Sequence, residues 1–121
     1  MMDKEQEKKF FQKQAELESE YFQHKKAYEQ QQEELVMLDH KLDQLYYEIA
    51  DVTYQCLRQN DAEPQELSKV ERLHASLAEN ARDAYRINRQ KLELEWEEYR
   101  VDNRRQQDKL EAEFLQQRRR S

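Results

Sequence analysis

Residues 58–68, RQNDAEPQELS, decide the fold, because they hold the only proline of a 121-residue chain that has no glycine. In a helix interior Pro64 would lack a backbone donor and clash with the preceding turn, at a cost of about 3 kcal/mol, whereas it suits a first turn. Without glycine, the tight turns that join short strands are also disfavoured. The sequence therefore predicts an all-α fold in which two long helices meet at one break.

The two predicted helices have nearly equal lengths. Each arm of nearly 60 residues would be roughly 85 Å long, and equal arms are what a full-length antiparallel, coiled-coil-like hairpin requires. The sequence leaves open whether the hairpin closes within one chain or swaps into a dimer. The prediction is one helical-hairpin domain over residues 1–121, with helices at about 3–59 and about 64–119 and an elbow at about 60–64.

Acidic and short polar residues near the proline provide the predicted helix start. Asp61 is the predicted N-cap of the second helix, and Glu63 and Glu66 would lie near the positive end of its dipole. A helix that starts later would instead use Ser68 and Glu71 as a capping box.

Composition favours long helices over a thick core. Charged residues make up 40% and hydrophobic residues 36% of the chain, a balance typical of coiled coils. Disorder is the competing interpretation, but seven Tyr, four Phe and one Trp argue against it. The net charge of −6, with both signs interspersed, lacks the concentrated basic face that nucleic-acid binding needs.

Cysteine usage and hydropathy predict a cytoplasmic protein. The single cysteine, Cys56, excludes an intramolecular disulfide and suits a reducing compartment. No apolar run approaches the roughly 20 residues of a membrane span, and the N-terminal stretch MMDKEQEKKFF lacks a signal-peptide core. Direct membrane insertion is therefore not expected, and co-export with a partner is left open.

The first arm carries an unbroken heptad pattern that predicts a seam against the second arm. Every seam residue from Leu35 onward is apolar, so the tightest packing is expected near the elbow. The predicted seam positions are Phe10, Gln14, Leu17, Tyr21, His24, Tyr28, Gln31, Leu35, Leu38, Leu42, Leu45, Ile49, Val52 and Cys56.

The second arm carries two apolar stripes. Leu92 and Leu94 alternate with charged residues as in a strand, but on a helix they point about 200° apart, so one faces the first arm and the other faces outward. The predicted inner stripe is Leu67, Val70, His74, Leu77, Ala81, Ala84, Tyr85, Leu92, Trp96, Tyr99, Leu110 and Phe114. The predicted outer stripe is Ile87, Leu94, Val101 and Leu115.

The outer stripe is interpreted as a protein-binding surface, because three of its residues repeat at sevenfold spacing and exposed apolar strips mark interfaces. Self-association through it is also expected. Trp96 and Tyr99 are added as binding candidates, although packing within the hairpin is the favoured interpretation for both. The first arm contributes a weaker outer set that consists of Phe11, Phe22, Val36, Tyr47 and Tyr54.

No catalytic, cofactor-binding or metal-binding site is predicted. Without glycine the chain lacks the usual phosphate-binding loop and nucleophile elbow. Glu71-x-x-His74 is only half of a di-iron ligand set, so His74 is expected to be a packed polar residue. Cys56 is expected to behave as a buried small hydrophobe. Tyr47-x-x-x-Asp51 has the spacing of a type VII export signal, and chance is the favoured explanation.

Two stretches flanking the elbow, LDQLYYEIADVTYQ at 42–55 and ELEWEEYRVDNRRQQDKLEAEF at 93–114, resemble the LXG-associated α-helical proteins. The resemblance is to their second type, the small cytoplasmic partners of bacterial LXG toxins. It implies a non-enzymatic adaptor that binds and stabilises the helical N-terminal LXG domain, together with another small helical protein, and helps target the toxin to type VII secretion. The Trp-x-Gly turn of autonomous export substrates is absent.

A structural or regulatory coiled coil is the alternative. Stalk-like components of flagellar or type III export ATPases are also charged antiparallel hairpins. A neighbouring gene for a toxin with a long helical N-terminus would favour the adaptor, and an operon for a rotary-type ATPase would favour the stalk.

Overall fold

The computed structural model describes residues 3–120, which form two α-helices. Helix α1 spans Lys4–Gln59 and helix α2 spans Pro64–Arg120. No strand occurs within residues 3–120, so the predicted all-α, two-helix hairpin is confirmed. Neither helix contains, within the described range, a stretch long and apolar enough to cross a bilayer.

The described chain divides into two compact units, each of which pairs a segment of α1 with an antiparallel segment of α2. The terminal unit contains residues 3–30 and 92–120, and the elbow unit contains residues 31–91. In the terminal unit, the Phe10 ring stacks on that of Phe114.

The elbow is closed by a C-cap of α1. Asp61 has φ 54°, the left-handed conformation that glycine usually supplies. The Ala62 N–H donates to the Leu57 carbonyl at 3.0 Å and the Asp61 N–H donates to the Arg58 carbonyl at 3.3 Å. These two bonds form a Schellman motif, in which Asp61 occupies the position after the helix end. Aspartate is among the few residues other than glycine that tolerate this conformation, and so the chain turns without glycine.

The predicted N-cap at Asp61 is wrong, because that residue terminates α1. The Glu63 carbonyl instead accepts the first bonds of α2, from the N–H groups of Glu66 at 3.0 Å and Leu67 at 3.2 Å. Pro64 is then the first helical residue, where its missing donor has no consequence. The late start at Ser68 is excluded, since α2 already includes that residue.

The seam in the elbow unit differs from the predicted heptad positions. Leu35 and Leu42 are half-buried as expected, whereas Leu38 is 54% exposed. The half-buried positions of α1 in this unit are Gln32, Leu35, Asp39, Leu42, Tyr46, Ala50, Thr53, Tyr54 and Leu57. The predicted seam residues that are exposed here are Gln31, Leu38, Leu45, Ile49, Val52 and Cys56.

The shift of the contact positions away from the predicted heptad positions follows from helix geometry. A strict sevenfold series drifts by about 20° per heptad on a straight α-helix, so it rotates by roughly 60° between Gln31 and Val52. Asp39, Tyr46, Ala50, Thr53 and Leu57 each lie one residue after a predicted position, whereas Leu35 and Leu42 keep theirs. On α2, Ala81 is half-buried as predicted, but the predicted inner positions Leu77 and Ala84 are wrong, because both are exposed and Ala78 is half-buried instead. The small side chains of Ala78 and Ala81 allow close approach of the two backbones. The prediction that Cys56 is buried is therefore also wrong.

Alanine substitution of one half-buried and one exposed leucine tests which residues form the seam. Leu42→Ala should lower the free energy of unfolding by about 1–3 kcal/mol, less than for a fully buried leucine, because Leu42 is half-buried. The matched variant Leu38→Ala should change it by less than about 0.5 kcal/mol. Urea denaturation at low protein concentration measures the free energy of unfolding of both variants. A larger decrease for Leu38→Ala than for Leu42→Ala would support the predicted heptad seam instead.

The C-cap provides a second test. Asp61→Val should destabilise the hairpin by about 1–2 kcal/mol, because a β-branched residue is strongly disfavoured at positive φ. Asp61→Asn, the control, should stay within about 0.5 kcal/mol, because asparagine also adopts this conformation. Equal stability of all three proteins in thermal denaturation would contradict the assigned cap.

Candidate protein-binding site

Aromatic side chains fill the interface between α1 and α2 in the terminal unit. The Trp96 ring stacks on Tyr28 with centroids 5.1 Å apart and lies 5.6 Å from Tyr21. The Tyr99 ring stacks on His24 at 3.9 Å. Trp96 and Tyr99 are both half-buried, so their main contacts lie within the hairpin.

Asn103 is the one fully buried residue among those described, with 5% of its surface exposed. Its Nδ2 donates to the Leu17 carbonyl of α1 at 3.4 Å, and its Oδ1 accepts from Gln107 Nε2 at 2.7 Å. A buried amide bonded to the other helix favours one register, since a shifted register would remove its bond to Leu17 and leave its buried NH2 group without that acceptor. Sequence reasoning missed Asn103, because it lies in the charged stretch VDNRRQQDKL at 101–110, which has no apolar pattern.

The Tyr99 hydroxyl is buried beside this amide without a hydrogen bond to any described residue. Burial raises the pKa of Tyr99 above 10.0, and the negative charge of Glu20 raises it further. The Asn103 side chain lies near the hydroxyl and lowers the pKa, although the pair does not meet hydrogen-bond geometry, and Asp102 adds a smaller upward contribution. Burial and the nearby carboxylates therefore favour the neutral form of the hydroxyl.

The outer face of α2 in the terminal unit presents two large apolar residues to solvent. Leu94 is 64% exposed and Val101 is 41% exposed. They line a shallow groove on the helix surface together with Glu97, Glu98, Asp102 and Arg105. This is the predicted outer stripe, and in this unit Leu115 is exposed as well.

The remaining predicted binding residues of the terminal unit lie on α1. Phe11 and Phe22 are both largely exposed. Phe11 lies edge-on to Phe10 at 5.3 Å, next to the Phe114 ring. Lys26 places its Nζ 4.8 Å from the centre of the Phe22 ring, a cation–π contact that leaves the ring accessible.

In the elbow unit the predicted binding residues have different surroundings. Ile87 and Tyr47 are exposed, as is Val36. Tyr54 is half-buried, and the Arg58 guanidinium lies 5.8 Å from its ring centre. The structure thus gives Tyr54 an intrachain neighbour, while the other three residues remain at the surface.

The polar residues considered as ligands do not assemble into a site. His74 is half-buried in the seam, and its Nδ1 has no hydrogen-bond partner among the described residues. No group of three or more His, Cys, Asp or Glu side chains arranged to hold a metal ion occurs within residues 3–120. The exposed apolar side chains are therefore the feature of this chain that packing within the hairpin does not account for.

Comparison of the chain with known protein families, curated proteins and solved structures finds no match in any of the three.

The unbonded hydroxyl makes Tyr99→Phe a direct test of the aromatic packing. We expect this variant to be more stable by about 0.5–2 kcal/mol near pH 7, because it removes a buried polar group that lacks a partner. The raised pKa adds a pH dependence. A folded-state pKa above the unfolded value gives stability that is present below about pH 10 and lost as pH rises through the folded pKa.

Thermal unfolding from pH 7 to pH 11 checks both expectations. The parent protein should lose more stability above pH 10 than Tyr99→Phe does. Tyr47→Phe is the control, because Tyr47 is exposed. A Tyr99→Phe variant that is destabilised to the same extent at every pH would show that the hydroxyl is bonded.

Proposed function

We propose that this protein is a non-enzymatic helical adaptor that binds a helix of another protein. The observation that carries the proposal is the exposure of Leu94 and Val101 on the face of α2 that points away from α1. Water contact with these side chains is unfavourable, by up to about 1.5–3 kcal/mol for a large aliphatic residue. A partner that covers them gains this free energy.

The spacing of the two residues suits a helical partner. Leu94 and Val101 are seven residues apart, so they lie two turns apart along the same side of α2. Side chains at this spacing insert between those of a neighbouring helix that is aligned with the first. An amphipathic helix laid along the groove would bury both residues.

The charges around the groove indicate which helix would fit. Glu97, Glu98 and Asp102 contribute three carboxylates to its lining, and Arg105 contributes one cation. The Glu97 carboxylate lies 3.6 Å from Arg100, an exposed pair that adds little stability of its own. The groove therefore favours a helix whose apolar stripe is flanked by lysine or arginine.

The resemblance to LXG-associated proteins supplies the specific form of the proposal. The partner is then the helical N-terminal domain of an LXG toxin. Packing along α2 would shield the apolar surface of that domain in the cytoplasm and keep the toxin in a form that type VII secretion accepts. This role is that of a chaperone and targeting factor.

Binding to the purified N-terminal domain of a neighbouring LXG toxin tests the proposal. Calorimetry should detect complex formation with the parent protein, and Leu94→Glu combined with Val101→Glu should weaken it at least 100-fold, because two buried aliphatic contacts are replaced by charges. Helicity and thermal stability should change little, since both residues are exposed.

Lys69→Gln combined with Lys109→Gln is the matched control. It lowers the net charge by the same two units at exposed positions of α2 outside the outer stripe, and should bind like the parent. Equal binding by the Leu94/Val101 double variant would refute this surface as the docking site. Unfolding of that variant would mean that the outer stripe belongs to the core.

A further inference from the structure

The elbow unit exposes a second apolar surface, distinct from the Leu94–Val101 groove. Its residues are between 40% and 59% exposed. We call it the elbow face, and it consists of Leu38, Leu45, Ile49 and Val52 of α1 and Leu73 and Leu77 of α2. The α1 residues are positions that the heptad pattern predicted to be buried, so the fold leaves an aliphatic seam without a cover.

These six residues lie on one side of the two-helix layer. Each residue turns an α-helix by about 100°. On this basis the four α1 residues of the elbow face point about 90° away from the middle of the half-buried stripe of α1. Leu73 and Leu77 point about 90° away from the middle of the half-buried stripe of α2. Because the two helices are antiparallel, these rotations bring both sets to the same side. The opposite side carries the ion pair between Arg82 and Asp43, with Nη2 and Oδ1 3.5 Å apart. The exposed Val36 and Tyr47 of α1 also lie on that opposite side, which therefore mixes polar and apolar residues, whereas the six residues of the elbow face are all aliphatic.

The elbow face is continuous across the two helices. The Arg82–Asp43 pair sets the register, and it places Leu45 opposite residue 80. Leu77 is three residues from that level, which is about 4.5 Å along the helix and less than one turn. Leu45 and Leu77 therefore belong to one surface.

The pattern of α1 on this face is nearly symmetric about Leu45. Leu38 precedes Leu45 by seven residues and Val52 follows it by seven. Lys41 precedes Leu45 by four residues and Glu48 follows it by three, and both are exposed. A two-fold axis at Leu45 would thus pair Leu38 with Val52 of a second copy, and would bring Lys41 beside the second copy's Glu48 on both sides of the axis.

We propose that the elbow face is a homodimer interface, in which a second copy of this chain packs its own elbow face antiparallel to the first and forms a four-helix contact. An isologous interface must be self-complementary, and the symmetric apolar and charged positions of α1 satisfy that condition. The two charge pairs would lie at the rim, where they favour this register over others.

The area of the elbow face limits the affinity that the dimer can reach. Residues 38–52 extend about 21 Å along α1, and two adjacent helices are about 20 Å wide, so each copy offers roughly 400 Å² of flat area. The two copies together would thus bury roughly 800 Å², which is below the roughly 1,200 Å² at which stable specific interfaces begin, so the dimer should be weak and should form mainly at high micromolar concentrations. The net charge of −6 opposes association, and salt should therefore strengthen the dimer by screening that repulsion.

Sedimentation equilibrium of the full chain over low to high micromolar concentrations tests the proposal. The weight-average mass should rise with concentration from 15.0 kDa toward twice that value. Leu45→Glu combined with Val52→Glu should remain at 15.0 kDa throughout. Leu94→Glu combined with Val101→Glu is the matched control, because it adds the same charge to the other apolar surface and should dimerise like the parent.

Three results would overturn the proposal. They are a strict monomer for the parent at the highest concentration, an unchanged dimer for Leu45→Glu with Val52→Glu, and loss of the dimer only in the Leu94/Val101 control, which would instead support the self-association through the outer stripe that the sequence predicts. Circular dichroism of each variant checks that the helices are intact, so a misfolded variant is recognised. A monomeric parent that still binds a toxin domain would refute this inference alone and leave the adaptor proposal standing.

Charge reversal tests the antiparallel register itself. Lys41→Glu and Glu48→Lys should each weaken the dimer about threefold to tenfold, and the double reversal should restore it to within about twofold. Net charge cannot mimic this result, because Lys41→Glu increases the overall repulsion and Glu48→Lys decreases it. Tighter dimerisation by Glu48→Lys alone would contradict the proposed register.

Discussion

An α-helix that packs against a single neighbour can bury only one side of its circumference, and this constraint governs the rest of the structure. The α1 segment of the elbow unit has apolar residues on more than one side. Leu42 faces α2, while Leu38 and Leu45, which lie on the adjacent side, face solvent. On α2, Leu92 and Leu94 divide in the same way between the inside and the outside. Two helices alone therefore cannot cover all the aliphatic surface that the chain carries.

Polar residues occupy several positions that a free-standing hairpin would fill with leucine. Asn103 is buried between the helices of the terminal unit, and Asp39 is half-buried in the elbow unit. Replacing such groups with well-packed hydrophobic residues often increases stability, so their presence favours a specific register over maximal stability. Aliphatic residues meanwhile remain on the outside, at Leu94 and across the elbow face. This distribution is typical of a subunit whose stability is completed by other chains.

The sequence predicted the parts of the fold that depend on local chemistry. Pro64 and the lack of glycine were sufficient for two helices and one elbow. The role of Asp61 was missed, because aspartate suits both an N-cap and a left-handed C-cap, and a short elbow offers both positions. The seam of α1 was only half right, because Leu38 and Leu42 are equally apolar, and a strict sevenfold series drifts around a straight helix so that only part of it can face α2. Asn103 gave no signal at all.

The central claim is that this chain has more apolar surface than its hairpin can bury, and that the excess forms docking surfaces. Methyl NMR with a soluble paramagnetic probe, at a concentration low enough to keep the chain monomeric, tests it most directly. The methyl groups of Leu38, Leu45 and Leu94 should relax strongly, while those of Leu35 and Leu42 should be protected. Protection of all five leucines in the monomer would show that one chain covers its own apolar surface and would contradict the account.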